Sequence, residues 1–428
     1  MGPRILATAD IHLGRKSSAV PGDLEVVSTR YTWERIVETA IQNSVDALVI
    51  AGDLVDRDNR FYEAIGPLQS GFHKLNQAGI EVYLTAGNHD YDVLPQIAAN
   101  SMYGNVHLLG QGGEWEVQRL AVNRGQCQFV GWSFPGQFVA EDPLLSLQGS
   151  ELDPDIPTVG VLHGYVDDPE GKYAPLSMSN LAKHQVEAWI LGHVHTPQRF
   201  KQQSPYIAYA GSPHAMSPSE YGVHGLVLLQ VESRDEIRTT DIPISPTRYE
   251  DLAIDVSSVS SEAEFRNRVV SGLLNSAGDK LQELDEVYYL VFDIYLKGDN
   301  SRANEIDSWK YGLADDYEQE LENGTRLLVR KVVNEVKPAV SNLEELANDA
   351  SPAGKLAETI LAIQNGDSTP FLEDLIQDWK ANLQKINFSG TYRDLNKEGR
   401  VCGPFDARQY ILRECNRLLS ELLSQQNS

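Results

Sequence analysis

Residues 5–14 read ILATADIHLG. An apolar run of the kind that forms a buried strand stops at Asp10, and one spacer later comes His12. The pattern predicts a strand over residues 4–9 finished by a carboxylate and an imidazole, which cores rarely bury without partners. Two positions apart on an extended backbone, both side chains would point the same way, a geometry suited to gripping a cation.

The same ending recurs along the first half of the chain. A predicted strand over 47–51 runs into Gly52-Asp53-Leu54-Val55-Asp56-Arg57, and one over 81–86 into Gly87-Asn88-His89-Asp90. Another over 158–162 ends at His163, and one over 188–191 at Gly192-His193-Val194-His195. Between the first three lie stretches 32–44 and 61–77 with apolar residues at helical spacing. This βαβαβ order implies a partly parallel sheet covered by helices. Further strands over 128–133, 207–210 and 225–231 follow closely enough to build a second sheet. In an open α/β sheet the carboxyl ends of the strands form the ligand crevice. Asp10, His12, Asp53, Asn88, His163, His193 and His195 are therefore expected at one edge.

Oxygen and imidazole donors without thiolate suit manganese, iron, zinc or nickel better than a structural zinc. The donors are too numerous for one ion. Two ions about 3.5–4 Å apart, bridged by the carboxylate of Asp53, account for them. Such a pair lowers the pKa of bound water and neutralises charge developing on phosphoryl oxygens. Gly52, Gly87 and Gly192 fit the sharp strand-to-loop turns that this arrangement needs.

The ordered series D-x-H, GDxxDR, GNHD, H and GHxH resembles the calcineurin-like metallophosphoesterase superfamily over residues 5–195. The resemblance implies a two-sheet α/β core, an α/β-β-α sandwich. It implies one divalent ion held by Asp10, His12, Asp53 and His195, and a second by Asp53, Asn88, His163 and His193. His89 would be the catalytic histidine, stabilising the transition state or protonating the leaving oxygen, with Asp56 orienting it. The opening DIHLG, the segment FVGWSF at 129–134 and the YAGSP loop at 209–213 are similar to the SbcD-type DNA repair exonucleases. That closer likeness implies manganese as the first choice of metal, a cap that touches DNA, a C-terminal helical segment docked on a coiled-coil SMC-like ATPase, and a homodimer.

Three parts are expected: a catalytic domain over 1–245, a small α/β capping domain over 246–339 and a helical region over 340–428. The last comprises helices at 342–348, 353–364 and 370–386, a Gly-rich loop at 388–404 and a final helix at 406–423. In that final helix Ile411, Cys415, Leu418 and Leu422 form an apolar stripe, with Leu412 and Leu419 beside it. The stripe suits packing on the protein's own cap, with a docked partner the alternative.

Composition bounds the rest. Hydrophobic residues make up 41% of the 428 and charged ones 23%, which reads as globular rather than disordered. No apolar run approaches the roughly 20 residues that a bilayer crossing needs, so no membrane is expected. Cys127, Cys402 and Cys415 lack metal-site spacing, and the first ten residues lack the pattern of a secretory signal; both point to the reducing cytoplasm. The net charge is −25, with 16 Lys and Arg against 29 Asp and Glu before residue 246 and 20 against 32 after it. Such acidity repels phosphate backbones. Arg15, Lys16, Arg57, Arg60, Arg199 and Lys201 could offset it with a basic rim, or could be isolated surface charges. His214, after the GSP of the YAGSP loop, is a further candidate to reach the site, whereas His73, His107, His184 and His224 match no motif. Gly131-Trp132-Ser133 hints at a nucleophile elbow but Pro135 stands where its second glycine belongs, so it reads as strand and turn. Two rivals to a DNA exonuclease remain: a phosphodiesterase for nucleotides, cyclic nucleotides or lipid headgroups, and a scaffold in which metals only order loops.

Overall fold

The computed structural model describes residues 2–22, 24–56, 64–99, 103–147, 152–202, 204–313, 317–337, 343–387 and 407–426. Arg57, Arg60, Cys402, the expected loop at 388–404 and the start of the expected helix at 61 lie outside them. The chain divides into two compact units. One comprises residues 1–251, 280–292 and 318–330, the other 252–279, 293–317 and 331–428.

In chain order the strands of the first unit's core are β1 (Arg4–Thr8), β2 (Ala47–Ala51), β3 (Glu81–Thr85), β4 (Val106–Leu108), β5 (Trp115–Val122), β6 (Gly125–Trp132), β7 (Thr158–His163), β8 (Tyr165–Val166), β9 (Pro175–Leu176), β10 (Ala188–Gly192), β11 (Gln198–Lys201), β12 (Tyr206–Tyr209), β13 (Gly225–Val231) and β14 (Ile237–Pro243). The first sheet has the order β14-β13-β1-β2-β3-β4 and the second β11-β12-β10-β7-β6-β5. β1 through β4 are mutually parallel, as are β6, β7, β10 and β12. Helices α1 (Thr29–Gln42) and α2 (Ile65–Gln77) are the crossovers of the first sheet. Ser28 caps α1 by accepting from the Tyr31 amide, a contact typically worth about 1 kcal/mol.

The alternation of β1 sorts the layers. Ile5 and Ala7 face the second sheet and pack with Val49, Phe129, Val161 and Ile190, whereas Leu6 turns outward to Trp33, Ile36, Leu68 and Phe72 of the helices. On the far side of the second sheet Trp132, Leu162, Trp189 and Ile207 bury Leu144 and Leu181. The result is the expected α/β-β-α sandwich. β5, β11 and β14 were not predicted: exposed Gln, Arg, Thr and Glu dilute their periodicity, and backbone pairing to an apolar neighbour defines them.

Beyond β14 come β15 (Thr247–Asp255), β16 (Tyr289–Lys297), β17 (Glu318–Glu320) and β18 (Arg326–Asn334), forming a sheet of order β15-β16-β18-β17. In the first unit Tyr249, Tyr289 and Val291 of these strands bury against Val27 and Ala215. In the second unit helix α3 (Glu262–Asp279) buries Phe265, Val269, Leu273 and Ala277, one residue per turn. Helices α4 (Pro352–Asn365), α5 (Pro370–Asn387) and α6 (Ala407–Gln426) share a separate core. In it Ile411, Cys415 and Leu419 of α6 meet Ala357, Ile360, Leu372 and Ile376. The stripe of the last helix thus packs on its own unit and passes through Leu419, while Leu418 is 40% exposed.

His214 does not reach the crevice edge. It is fully buried, with Nε2 2.7 Å from Ser17 Oγ and Nδ1 2.7 Å from Thr32 Oγ1, tying the loop after β1 to α1. Burial holds its imidazole down at about 4, against an ordinary value of 6.5. Between those values the unfolded chain binds the extra proton, so the folded state loses stability as pH falls from 6.5 toward 4. The expected loss attributable to this residue is about 2.5 kcal/mol by pH 4.5. Denaturant unfolding at pH 7.5 and 4.5 should show the stability gap between wild type and His214→Gln closing by that amount; a constant gap would refute it.

Candidate metal centre

Seven side chains expected at the sheet edge converge there, each delivered by the end of a strand. The sequence expectation of an extended Asp-x-His pair is corrected, however. β1 stops at Thr8, and Asp10 and His12 have φ of 51° and 47°. The two side chains converge because the loop coils left-handed, not by strand alternation. Asp53 (50°) and His193 (99°) share that backbone region. Half of the eight positive-φ non-glycine residues among those described are therefore candidate ligands, the signature of conformational strain held at a functional site. The loops are pinned to each other: Asp10 N–H donates to Gly52 O and His12 N–H to Asp53 O. Gly52 has φ +82°, and a Cβ there would come within 2.3 Å of His163 Nδ1. Close approach as well as the turn excludes any side chain.

Two donor groups meet at Asp53. In the first, the Nε2 atoms of His12 and His195 are 3.1 Å apart, His12 Nε2 lies 3.8 Å from Asp53 Oδ2, and Asp10 completes the group. In the second, Asn88 Oδ1 lies 3.1 Å from His163 Nε2 and 3.2 Å from His193 Nδ1, and His163 Nε2 is 3.4 Å from Asp53 Oδ2. Facing imidazole nitrogens around buried carboxylates make poor hydrogen-bonding partners for one another and a good donor set for divalent cations. The clusters fit a binuclear site. The electrostatics of the side chains agree. Burial alone would pull His163 down, yet Asp53 and Asp10 push it up to about 9. Burial raises the Asp53 carboxyl, but His163 and His12 hold it well below the usual carboxylate range. Protonated His163 supplies charge that a bound cation would replace.

Supporting contacts set which nitrogen faces inward. His163 Nδ1–H donates to Ala51 O at 3.0 Å, so Nε2 is the nitrogen that faces inward and becomes a donor once a cation displaces its proton. Glu220 Oε1 does the same for His195, 3.0 Å from its Nδ1. Asp90, the last residue of GNHD, accepts from the amides of Leu54, Val55 and Gly87 and so locks the second and third loops together. Asp56 Oδ1 lies 3.7 Å from His89 Nδ1, beyond hydrogen-bond distance, and 3.3 Å from His12 Nδ1. Glu220 and the clamp of Asp90 were missed by sequence reasoning. Glu220 lies in SPSEYG, which has no strand before it, and a carboxylate that accepts backbone amides leaves no spacing pattern.

The remaining candidates are structural. Ser133 Oγ donates to Leu109 O and accepts from the Ala86 amide, which closes the nucleophile-elbow reading. His107 pairs with Glu81, His184 lies near Leu144 O, His224 near Ser212 O, and His73 stacks beside Tyr103. Arg199 is paired with Asp241, so its charge is spent at the surface.

Residues 3–197 match the Calcineurin-like phosphoesterase family. The chain carries a calcineurin-like metallophosphoesterase domain. It is 29% identical over 211 residues to the uncharacterized metallophosphoesterase YhaO of Bacillus subtilis, a match spanning 49% of this chain and 51% of that protein. It is 24% identical over 321 residues to the SbcD component of the SbcCD nuclease of Staphylococcus epidermidis, covering 67% and 83%. Identity to the DNA double-strand break repair protein Mre11 of Methanopyrus kandleri is 27% over 291 residues, covering 63% of each. This chain thus spans only about half the length of the first of these relatives.

If Glu220 fixes the His195 tautomer, Glu220→Ala should weaken one of two manganese sites by about 10- to 100-fold in calorimetric titration. Glu220→Gln, which keeps an acceptor, should weaken it less. Two unchanged sites in the alanine variant would show that the contact is incidental.

Proposed function

We propose that this protein is a two-metal phosphodiesterase that cuts DNA at or near ends, in the reducing cytoplasm and with a coiled-coil ATPase subunit supplying much of the grip. The observation that carries the hydrolytic part is the meeting of two donor groups on Asp53 Oδ2 with His89 at their rim. Asp10, His12, Asp53 and His195 would hold one ion, and Asp53, Asn88, His163 and His193 the other, with manganese our first choice. Bound divalent ions supply positive charge to phosphoryl oxygens and acidify water.

The chain's own groups do the positioning. Asp53 Oδ1 accepts the His89 amide at 2.9 Å, so the bridging carboxylate also seats the loop bearing the catalytic histidine. Asp56 beside Nδ1 turns the other nitrogen of His89 away from it, where a proton can be offered to the leaving oxygen. A cleft of 660 Å³ that begins at Leu13 and Gly14 is lined by Arg15, Lys16 and Lys74 together with Glu25 and Glu34. Arg15 lies 3.9 Å from Asp56, so Lys16 and Lys74 are the cations the cleft offers to an anionic strand. Arg30 is also there but is paired with Glu25 and Glu34.

DNA is favoured by the alignments with nuclease and repair proteins, which extend beyond the phosphoesterase domain. The net charge of −25 favours the smaller phosphodiesters instead, unless a partner provides the basic surface. Among the described residues no helix is long and apolar enough to cross a membrane.

Purified protein with manganese should release nucleotides from end-labelled double- or single-stranded DNA, and His89→Asn should lower the rate at least about 100-fold while retaining metal. Cleavage of a chromogenic phosphodiester with DNA untouched would transfer the assignment to small substrates. Metal binding with neither substrate cut would favour the scaffold.

A further inference from the structure

Beside the metal centre lies a group of rings that the hydrolytic site does not use. Tyr173 and Tyr165 have centroids 5.1 and 5.7 Å from that of the candidate ligand His193. Phe138 continues the row outward, 5.7 Å from Tyr173. Phe138 is 53% exposed and Tyr165 44%, so the row climbs from a half-buried ligand to open solvent. A single exposed aromatic is ordinary, but neighbouring ones beside a cleft mark a binding surface.

The row is rigidly built. Val139 N–H donates to Lys172 O and Ala174 N–H to Val139 O, bridging the segments that carry Phe138 and Tyr173. Tyr165 N–H donates to Tyr173 O and Ala174 O. Tyr209, whose hydroxyl donates to Gly164 O and accepts from the Val166 amide, grips both sides of Tyr165. Asp167 (φ 58°) and Ala174 (φ 48°) take left-handed backbone to close the turn. Pre-set rings of this kind lose little entropy on meeting a flat ligand.

Lys172 decides what kind of ligand. Its ammonium sits 4.7 Å from the Phe138 centroid and 5.6 Å from that of Tyr173. A lysine there disfavours a quaternary ammonium headgroup, which aromatic cages otherwise bind. Its side chain is exposed and long, so it can swing to a phosphate and leave the ring faces to a flat, neutral base. Phe138 and Tyr173 are inclined 45° to each other, and Tyr165 stands edge-on to His193 at 76°. The geometry points to Phe138, Tyr165 and Tyr173 as an angled aromatic shelf that takes an unstacked nucleobase next to the scissile phosphate, one ring against its face and the others at its edges, so that the substrates are base-bearing phosphodiesters rather than lipid headgroups. This rests on the phosphodiesterase reading above.

The test compares two p-nitrophenyl phosphodiesters, one of thymidine and one of the matching abasic sugar, with the manganese-loaded protein. Wild type should prefer the thymidine ester in kcat/KM by about 10-fold or more, the scale of one stacked base. The preference should collapse toward one in Phe138→Ala and Tyr165→Ala and persist in Phe138→Trp, which keeps a ring; equal rates on both esters in wild type would overturn the shelf while leaving a phosphodiesterase. In parallel, a short single-stranded oligonucleotide ending in 2-aminopurine is bound to His89→Asn. Its fluorescence should be quenched, and the quenching should be lost with Phe138→Ala added. Absent quenching overturns the shelf, and quenching without hydrolysis of either ester in wild type upholds it while the phosphodiesterase reading falls.

Discussion

A carboxylate buried among imidazoles governs this molecule. Asp53 is 2% exposed and has His12, His163 and the amide of His89 within reach. An anion in that position costs several kcal/mol of hydration unless cations or protons compensate it. The surroundings are arranged to compensate. His163 is driven to hold a proton, and its Nε2 together with those of His12 and His195 faces the carboxylates where a divalent ion would sit. The same demand explains the strained backbone. Asp10, His12, Asp53 and His193 tolerate left-handed φ because loops bonded backbone to backbone hold them, and relaxing one residue would break its neighbour's hydrogen bond.

What makes such loops possible is the sandwich beneath them. Parallel strands all end on the same side, so β1, β2, β3, β7 and β10 raise five loops at one edge without any long excursion of the chain. The faces of both sheets are filled by interlocking apolar side chains, which fixes the strands and hence the spacing between loops. Asp90 then links the second loop to the third through three backbone amides. A site requiring ångström placement is built on rigid elements and only finished by loops.

Electrostatics separates hydrolysis from substrate capture. The centre concentrates positive potential when loaded, but the chain as a whole is strongly acidic on both sides of residue 245. Long-range attraction for a polyanion would therefore be weak, and under the proposed function local contacts or a partner would have to supply the grip. Stacking depends little on salt, whereas phosphate contacts depend on it strongly.

The sequence alone determined the strand-end motifs, the order in which they occur and the chemistry of their donors, because metal ligation restricts residue type at each position and strands of apolar residues announce themselves by composition. That Asp10, His12, Asp53, Asn88, His163, His193 and His195 would meet at one edge was legible from those strand ends, as was the layering of helices on parallel strands. Tertiary structure alone decided the rest. Hydrogen bonds between distant segments leave no periodic trace, so Glu220 beside His195, the clamp of Asp90 and the second contact of Asp56 appeared only in three dimensions. The edge strands β5, β11 and β14 were hidden because their pairing is backbone to backbone, and the burial of His214 because its partners lie 197 and 182 residues away. Phe138, Tyr165 and Tyr173 read singly as ordinary aromatics; folding sets them side by side, since backbone hydrogen bonds among Val139, Tyr165, Lys172, Tyr173 and Ala174 join segments that are distant in the chain.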